Sequence, residues 1–154
     1  MEDVKIGIVG GGTVGGGIVE IIESKREHFQ QLTGKNLSVK TICVRDLEKP
    51  RDFTIPEGCK ITTEFDDILG DDSLDIVVEV MGGTTLANDV ISKALTSGKD
   101  VVTANKALIA DKLTDIESLV AKVNEGEGES TEFRYEAAVC GGIPIIRTLQ
   151  SDLV

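Results

Sequence analysis

Three glycines near the start of the chain, Gly10, Gly12 and Gly15, stand in the spacing G-x-G-x-x-G. The chemistry open to that pattern is anion binding by the main chain. Gly10 allows a tight turn, Gly12 lacks a Cβ and lets a pyrophosphate approach the backbone, and Gly15 lets a helix pack close to its strand. Amides at the helix start, near Thr13 and Val14, have no intrahelical acceptor and would face the phosphates. The alternative is a turn that satisfies its own backbone geometry and binds nothing. Context favours the dinucleotide. Lys5–Val9 reads as a short buried strand, and Val14, Ile18, Ile21 and Ile22 fall on one helical face, so the glycines lie between a strand and a helix. Gly16 and Gly17 are extra. Each costs about 1 kcal/mol relative to alanine inside a helix, which points to close approach by a strand or a ligand.

Further along, Arg45-Asp46 follows the second apolar run, where a doubly wound sheet meets the adenosine ribose. An acidic residue there suits the 2′-hydroxyl of NAD, and an arginine suits the 2′-phosphate of NADP. The sequence carries both, and Arg45 favours NADP; the alternative is a solvated arginine at a strand end. Thr84 and Thr85 follow a third apolar run and would meet the cofactor or cap the next helix. Lys106 follows a fourth and would bring positive charge into the same crevice, unless it is a surface lysine of a capping loop. His28, the single histidine, lies on a polar stretch and reads as solvent-exposed.

The elements that must position these residues alternate. After the first strand, a helix is expected to run through Glu23–Gln31 and stop at Gly34. Strands are expected at Leu37–Val44, Lys60–Thr63 at an edge, Leu74–Val80, Asp100–Thr103 and Thr131–Val139. Between them lie a loop at Glu48–Gly58, helical turns at Phe65–Leu69 ended by Gly70, and a helix at Leu86–Ser97 burying Leu86, Val90, Ala94 and Leu95. Thr114-x-x-Glu117 reads as a capping box that opens a helix with Ile116, Leu119, Val120 and Val123 inward. Asn124–Ser130 reads as a surface loop, and Ile145–Leu153 as a helix with Pro144 at its first turn. This is a Rossmann-type doubly wound, mostly parallel sheet with helices on both faces, of expected order 3-2-1-4-5-6.

The 154 residues suit one domain, and 27 acidic against 16 basic side chains give a net charge of −11. That balance argues against nucleic acid and against an anionic membrane surface. No apolar run reaches the roughly 18 residues of a bilayer span. The chain enters an apolar strand at once, so no signal peptide is expected. Cys43, Cys59 and Cys140 fit neither a disulfide framework nor a zinc site, so a cytoplasmic location is expected.

Taken together, GIVGGGTVGGGIVEII, VRDLEKPR, DIVVEVMGGT, VVTANKALIA and YEAAVCGGIPIIRTLQ resemble the N-terminal nucleotide-binding domain of homoserine dehydrogenase over essentially the whole chain. The resemblance implies reversible reduction of aspartate 4-semialdehyde to homoserine with NADPH or NADH, on the route to threonine, methionine and isoleucine. It implies that Gly10, Gly12, Thr13, Val14 and Gly15 hold the pyrophosphate, that Arg45 meets the 2′-phosphate, and that Thr84 lies on the nicotinamide side. Lys106, in the T-x-N-K stretch, would stand beside nicotinamide and substrate. Main-chain carbonyls of Glu136, Val139, Gly141 and Ile143 would coordinate sodium; on the residues alone, that segment reads as a glycine hinge. The resemblance divides the chain into a cofactor domain, residues 1–140, and an exit segment, residues 141–154, leading to a substrate-binding and dimerisation region of a homo-oligomer. The acidic residue that grips homoserine and a second lysine would lie in that region. The competing assignments are the cofactor domain of another NAD(P)-dependent amino-acid or aldehyde dehydrogenase, and a non-catalytic nucleotide-sensing module.

Overall fold

Apolar runs buried on both faces can form only the interior of a parallel sheet, and this chain has three. β1 (Glu2–Val9), β4 (Ile76–Glu79) and β5 (Asp100–Thr103) carry them. The structure is a computed structural model that describes residues 2–126 and 130–152. Around these strands stand β2 (Lys35–Cys43), the short β3 (Lys60–Thr62) and the two-residue β6 (Phe133–Arg134). All pairings are parallel and the order is β3-β2-β1-β4-β5-β6, as the alternation of elements predicts. The β1–β2 register steps once: Ile6 faces Val39 and Gly7 faces Thr41, which leaves Lys40 as an extra residue in β2.

Two apolar layers cover the sheet. On one face α3 (Asp66–Leu69), α4 (Thr85–Thr96) and α5 (Lys106–Val123) bury Ile68, Val90, Ile91, Leu95, Leu108 and Ile116 against Val77 and Val101. On the other, α1 (Thr13–Ser24) buries Val19 and Ile22 against Ile6, Ile8, Ile42 and Val78. Among the described residues no helix is long and apolar enough to cross a membrane.

Several local expectations need correction. The first helix breaks at Lys25, and α2 (Arg26–Thr33) follows, ending at left-handed Gly34 as expected. On α1 the buried face is Gly15, Gly16, Val19 and Ile22, while Val14 is 55% and Ile21 50% exposed. The glycines themselves are the contact surface, so the stripe of bulky residues is rotated away from it. On α4, Leu86 is 50% exposed, and Ala87 and Ile91 join Val90, Ala94 and Leu95 inside. Thr114 does not open a helix. Asn105 does so nine residues earlier, its Oδ1 accepting from the Leu108 amide at 3.1 Å. Ala107 and Leu108 are good helix formers, and the cap lets α5 start soon after β5. The last strand is shorter than Thr131–Val139: the chain turns off at Tyr135 into a 3-10 turn, Glu136–Ala138. Beyond Pro144, α6 (Ile145–Arg147) passes into a π-type turn, Thr148–Asp152, in place of one regular helix; Leu153 lies outside the described residues. So do residues 127–129 of the expected surface loop.

Candidate functional site

Register levels the carboxyl ends of the central strands. Cys43, Val9, Glu79 and Thr103 stand in line across β2, β1, β4 and β5. The chain past each of these residues therefore opens on one edge, the ligand edge of a doubly wound sheet. Past β1, the Gly10 amide donates to the Cys43 carbonyl at 2.9 Å, and Gly10 has φ +120°. A Cβ there would lie 2.7 Å from the Val80 carbonyl carbon, so the turn packs against the end of β4. The first turn of α1 is closed by the Gly16 amide donating to Gly12 O at 2.8 Å, and Gly12 supplies no side-chain cap. The amides of Thr13 and Val14 thus have no intrahelical acceptor. A Cβ on Gly12 would meet no atom within 4 Å, whereas one on Gly15 would lie 1.9 Å from Gly10 O. The two glycines do different work, one open to a ligand and one to the turn itself.

A cleft of about 940 Å³ runs along this edge, with Gly10, Gly11 and Gly12 at its middle. One end is built by Cys43, Arg45, Asp46, Lys49 and Arg51. Arg51 shapes that end: its guanidinium donates to the carbonyls of Asp46 at 2.6 Å, Lys49 at 2.8 Å and Leu47 at 3.2 Å. Asp46 Oδ1 accepts from the Glu48 amide at 2.9 Å, so its carboxylate closes its own turn. Arg45 is exposed and, among the described residues, has no ion pair or side-chain hydrogen bond. An acidic chain therefore keeps a cationic corner here. Burial, then the charges of Glu64 and Asp67, push the Cys43 thiol up to about 11.

Beside the glycine turn lies a recess of about 400 Å³ under Pro50–Phe53. There the Phe53 ring packs on Gly16, where a Cβ would come within 2.6 Å of it. The close neighbour expected at Gly16 is thus a loop side chain. At Gly17 a Cβ would meet no described protein atom within 4 Å, so no strand or loop approaches it.

The other end of the cleft is formed by Val80, Met81, Gly82 and Leu86. Beneath it lies a network that the motifs do not reveal. Glu79 is fully buried; its Oε1 accepts from the Met81 amide at 2.9 Å and its Oε2 from Thr103 Oγ1 at 2.7 Å. Thr103 Oγ1 accepts from the Asn105 amide at 3.0 Å, and Asn105 Nδ2 donates to the Gly83 carbonyl at 2.6 Å. An acidic residue inside the apolar run VVEV was the available sign. Thr84 stands half-buried at the N-cap position of α4 and contributes no side-chain cap there; its carbonyl accepts from the Asn88 amide at 2.9 Å. Lys106, exposed, is the first residue of α5, on the same sheet edge as the glycine turn and two strands away. Neither Thr84 nor Lys106 lines the cleft wall.

Glu136, Val139, Gly141 and Ile143 lie on the loop past β6, apart from the cleft wall. The Glu136 carbonyl accepts from the Val139 amide at 3.2 Å and the Ile143 carbonyl from the Ile145 amide at 2.8 Å. The loop turns through left-handed Cys140 and Gly141, at φ 56° and 59°. The Glu136 carboxylate accepts from the amides of Ile146 at 3.0 Å and Arg147 at 2.9 Å, which fastens the loop to α6. Among the described residues no group of three or more His, Cys, Asp or Glu could hold a metal ion.

The pattern of the homoserine dehydrogenase NAD-binding domain matches residues 10–130. The chain belongs to this family. It is 37% identical to homoserine dehydrogenase of Bacillus subtilis over 153 residues, which is 99% of this chain and 34% of that protein. The crystal structure of a homoserine dehydrogenase from Thiobacillus denitrificans superposes with a TM-score of 0.88 at 35% identity, over 99% of this chain and 34% of that one. A hyperthermophilic archaeal homoserine dehydrogenase in complex with NADPH gives a TM-score of 0.72 at 25% identity, over 96% of this chain and 48% of that one. The chain spans about a third of the length of the bacterial relatives. In this homoserine dehydrogenase domain the matched stretch begins at Gly10, the first residue of the glycine turn.

Proposed function

We propose that this domain binds NADP(H), in preference to NAD(H), as the cofactor half of a homoserine dehydrogenase that interconverts aspartate 4-semialdehyde and homoserine, a step toward threonine, methionine and isoleucine. One observation carries the reading: open main chain at Gly12, where α1 begins, lies on a cleft that is cationic at its β2 end. About 940 Å³ is at the upper end of the usual range for a small-molecule site. The fit is local as well, since the space beside Gly12 is free of protein atoms within 4 Å of a Cβ.

In this reading the amides of Thr13 and Val14 bind the diphosphate and Arg45 binds the ribose 2′-phosphate. Asp46, engaged in its own turn, leaves the ribose to the arginine. When bound, the nicotinamide supplies or accepts the hydride. Thr84 bounds the nicotinamide side, and the Lys106 ammonium stabilises negative charge developing on the carbonyl oxygen. Lys106 is not the sole proton donor. Residues 1–140 form the cofactor domain and residues 141–154 lead toward the substrate-binding region of a cytoplasmic homo-oligomer. A sodium ion at the Glu136, Val139, Gly141 and Ile143 carbonyls suits a hard cation's preference for oxygen. The Glu136 and Ile143 carbonyls each accept one amide and retain a second lone pair for it.

Calorimetric titration with NADPH and NADH tests the reading. Heat of binding with NADPH, and weaker binding of NADH, is expected; no heat with either, in folded protein, overturns it.

A further inference from the structure

The strongest feature outside the motifs is the buried Glu79. A carboxyl group with no exposure is costly in an apolar sheet, and a valine of the same run would fill the place without that cost. What Glu79 provides is connection. Through Oε1 it holds the Met81 amide and through Oε2 the Thr103 hydroxyl, while Thr103 holds the Asn105 amide. Asn105 in turn holds the Gly83 carbonyl and caps α5 at the Leu108 amide. The loop Met81–Gly83 is thereby tied at both ends to the residue that precedes Lys106. Gly82 and Gly83, both at φ +79°, give that loop a course which few other residues could follow, and its own backbone does not fix it to the sheet. The loop is one wall of the cleft, at the end away from Arg45.

We propose that Glu79 is a positioning residue for the nicotinamide end of the cofactor: by joining the β4 loop to the start of α5, it sets the wall against which the nicotinamide rests and the place of Lys106 relative to it. This rests on the cofactor reading above. The adenosine end is built from β2 and its loop and shares none of these bonds, so the two ends of the cleft are separable by experiment.

Glu79→Gln keeps size and the acceptor for Met81 but sets an amide donor against Thr103 Oγ1, so the hydroxyl proton loses the acceptor it had at residue 79. Thr103→Val removes the same link from its other side and serves if the first variant fails to fold. Each is titrated with NADPH and with 2′-phospho-ADP-ribose, which lacks the nicotinamide, and the fluorescence of bound NADPH is recorded. The expected result is about tenfold weaker NADPH binding and altered nicotinamide emission, with 2′-phospho-ADP-ribose affinity within about twofold of wild type. Unchanged NADPH affinity and emission in the folded variants would overturn the proposal. So would equal losses with both ligands, which mark a merely structural role. Failure of the wild-type chain to bind either ligand removes the cofactor reading itself, and the role of Glu79 with it.

Discussion

The carbonyl oxygen of Gly10 fills the space that a side chain on Gly15 would need, 1.9 Å from the ideal Cβ position. Gly12, three residues earlier, faces nothing within 4 Å. The two glycines should therefore fail in different ways. Gly15→Ala must displace backbone and is expected to destabilise by at least about 1–3 kcal/mol, read as a lower thermal midpoint. Gly12→Ala, at φ −88° and ψ −160°, is accommodated by any residue and should keep stability within about 1 kcal/mol. It should nonetheless lose most NADPH affinity by calorimetry, because its methyl group occupies the ligand's approach.

Among the described residues, Arg45 has no ion pair or side-chain hydrogen bond, and it stands in a corner shaped by Arg51. Arg45→Ala is expected to weaken NADPH by about tenfold more than NADH, the scale of one charge-assisted hydrogen bond. Equal weakening of both would move the ribose assignment to another residue of the corner. The difference should shrink as salt is raised, since the side chain is exposed.

Lys106 offers a test of the chemical step. In the full-length enzyme, Lys106→Met should lower turnover by roughly 10²–10³-fold, as the loss of one stabilising donor does elsewhere. The KM for the cofactor should change little. Wild-type turnover would show that its charge has no part in the reaction.

The thiols set an alkaline limit on the fold. Burial pushes both Cys43 and Cys59 up to about 11 from an ordinary 9.0. The protonated form is the one that folding favours, so their contribution is fully present below pH 9 and is lost as pH rises through 11. The thermal midpoint should fall between those values. At pH 8, iodoacetamide should modify exposed Cys140 well before Cys43 or Cys59, which mass spectrometry of the labelled peptides would show.

Sheet order and the glycine turn were legible because each depends on short-range pattern: apolar runs, glycine spacing, helices between. The stripe on α1 was misread because two of its covered positions are Gly15, against the Gly10 turn, and Gly16, under Phe53, which carry no hydrophobic signal. The start of α5 was misplaced because Thr114 and Glu117 have the spacing of a cap, whereas Asn105 caps through a single oxygen. The short β6 reflects the edge position, where one neighbour only, β5, supplies hydrogen bonds. Glu79 was invisible as a hub because its partner Thr103, and Asn105 bonded in turn to Thr103, lie far along the chain and join it only when β4 and β5 pair.

Lys40, the residue left over where β2 steps past β1, has a reach beyond its own place in the ladder. Were it drawn into pairing, every residue after it would slip by one, moving the strand end about 3.3 Å and turning each side chain to the opposite face. Arg45 would be carried one residue further past the end of β1, away from its present corner. Discrimination between phosphorylated and plain ribose would then be tunable from a site that never meets the ligand, by counting residues rather than by changing a contact.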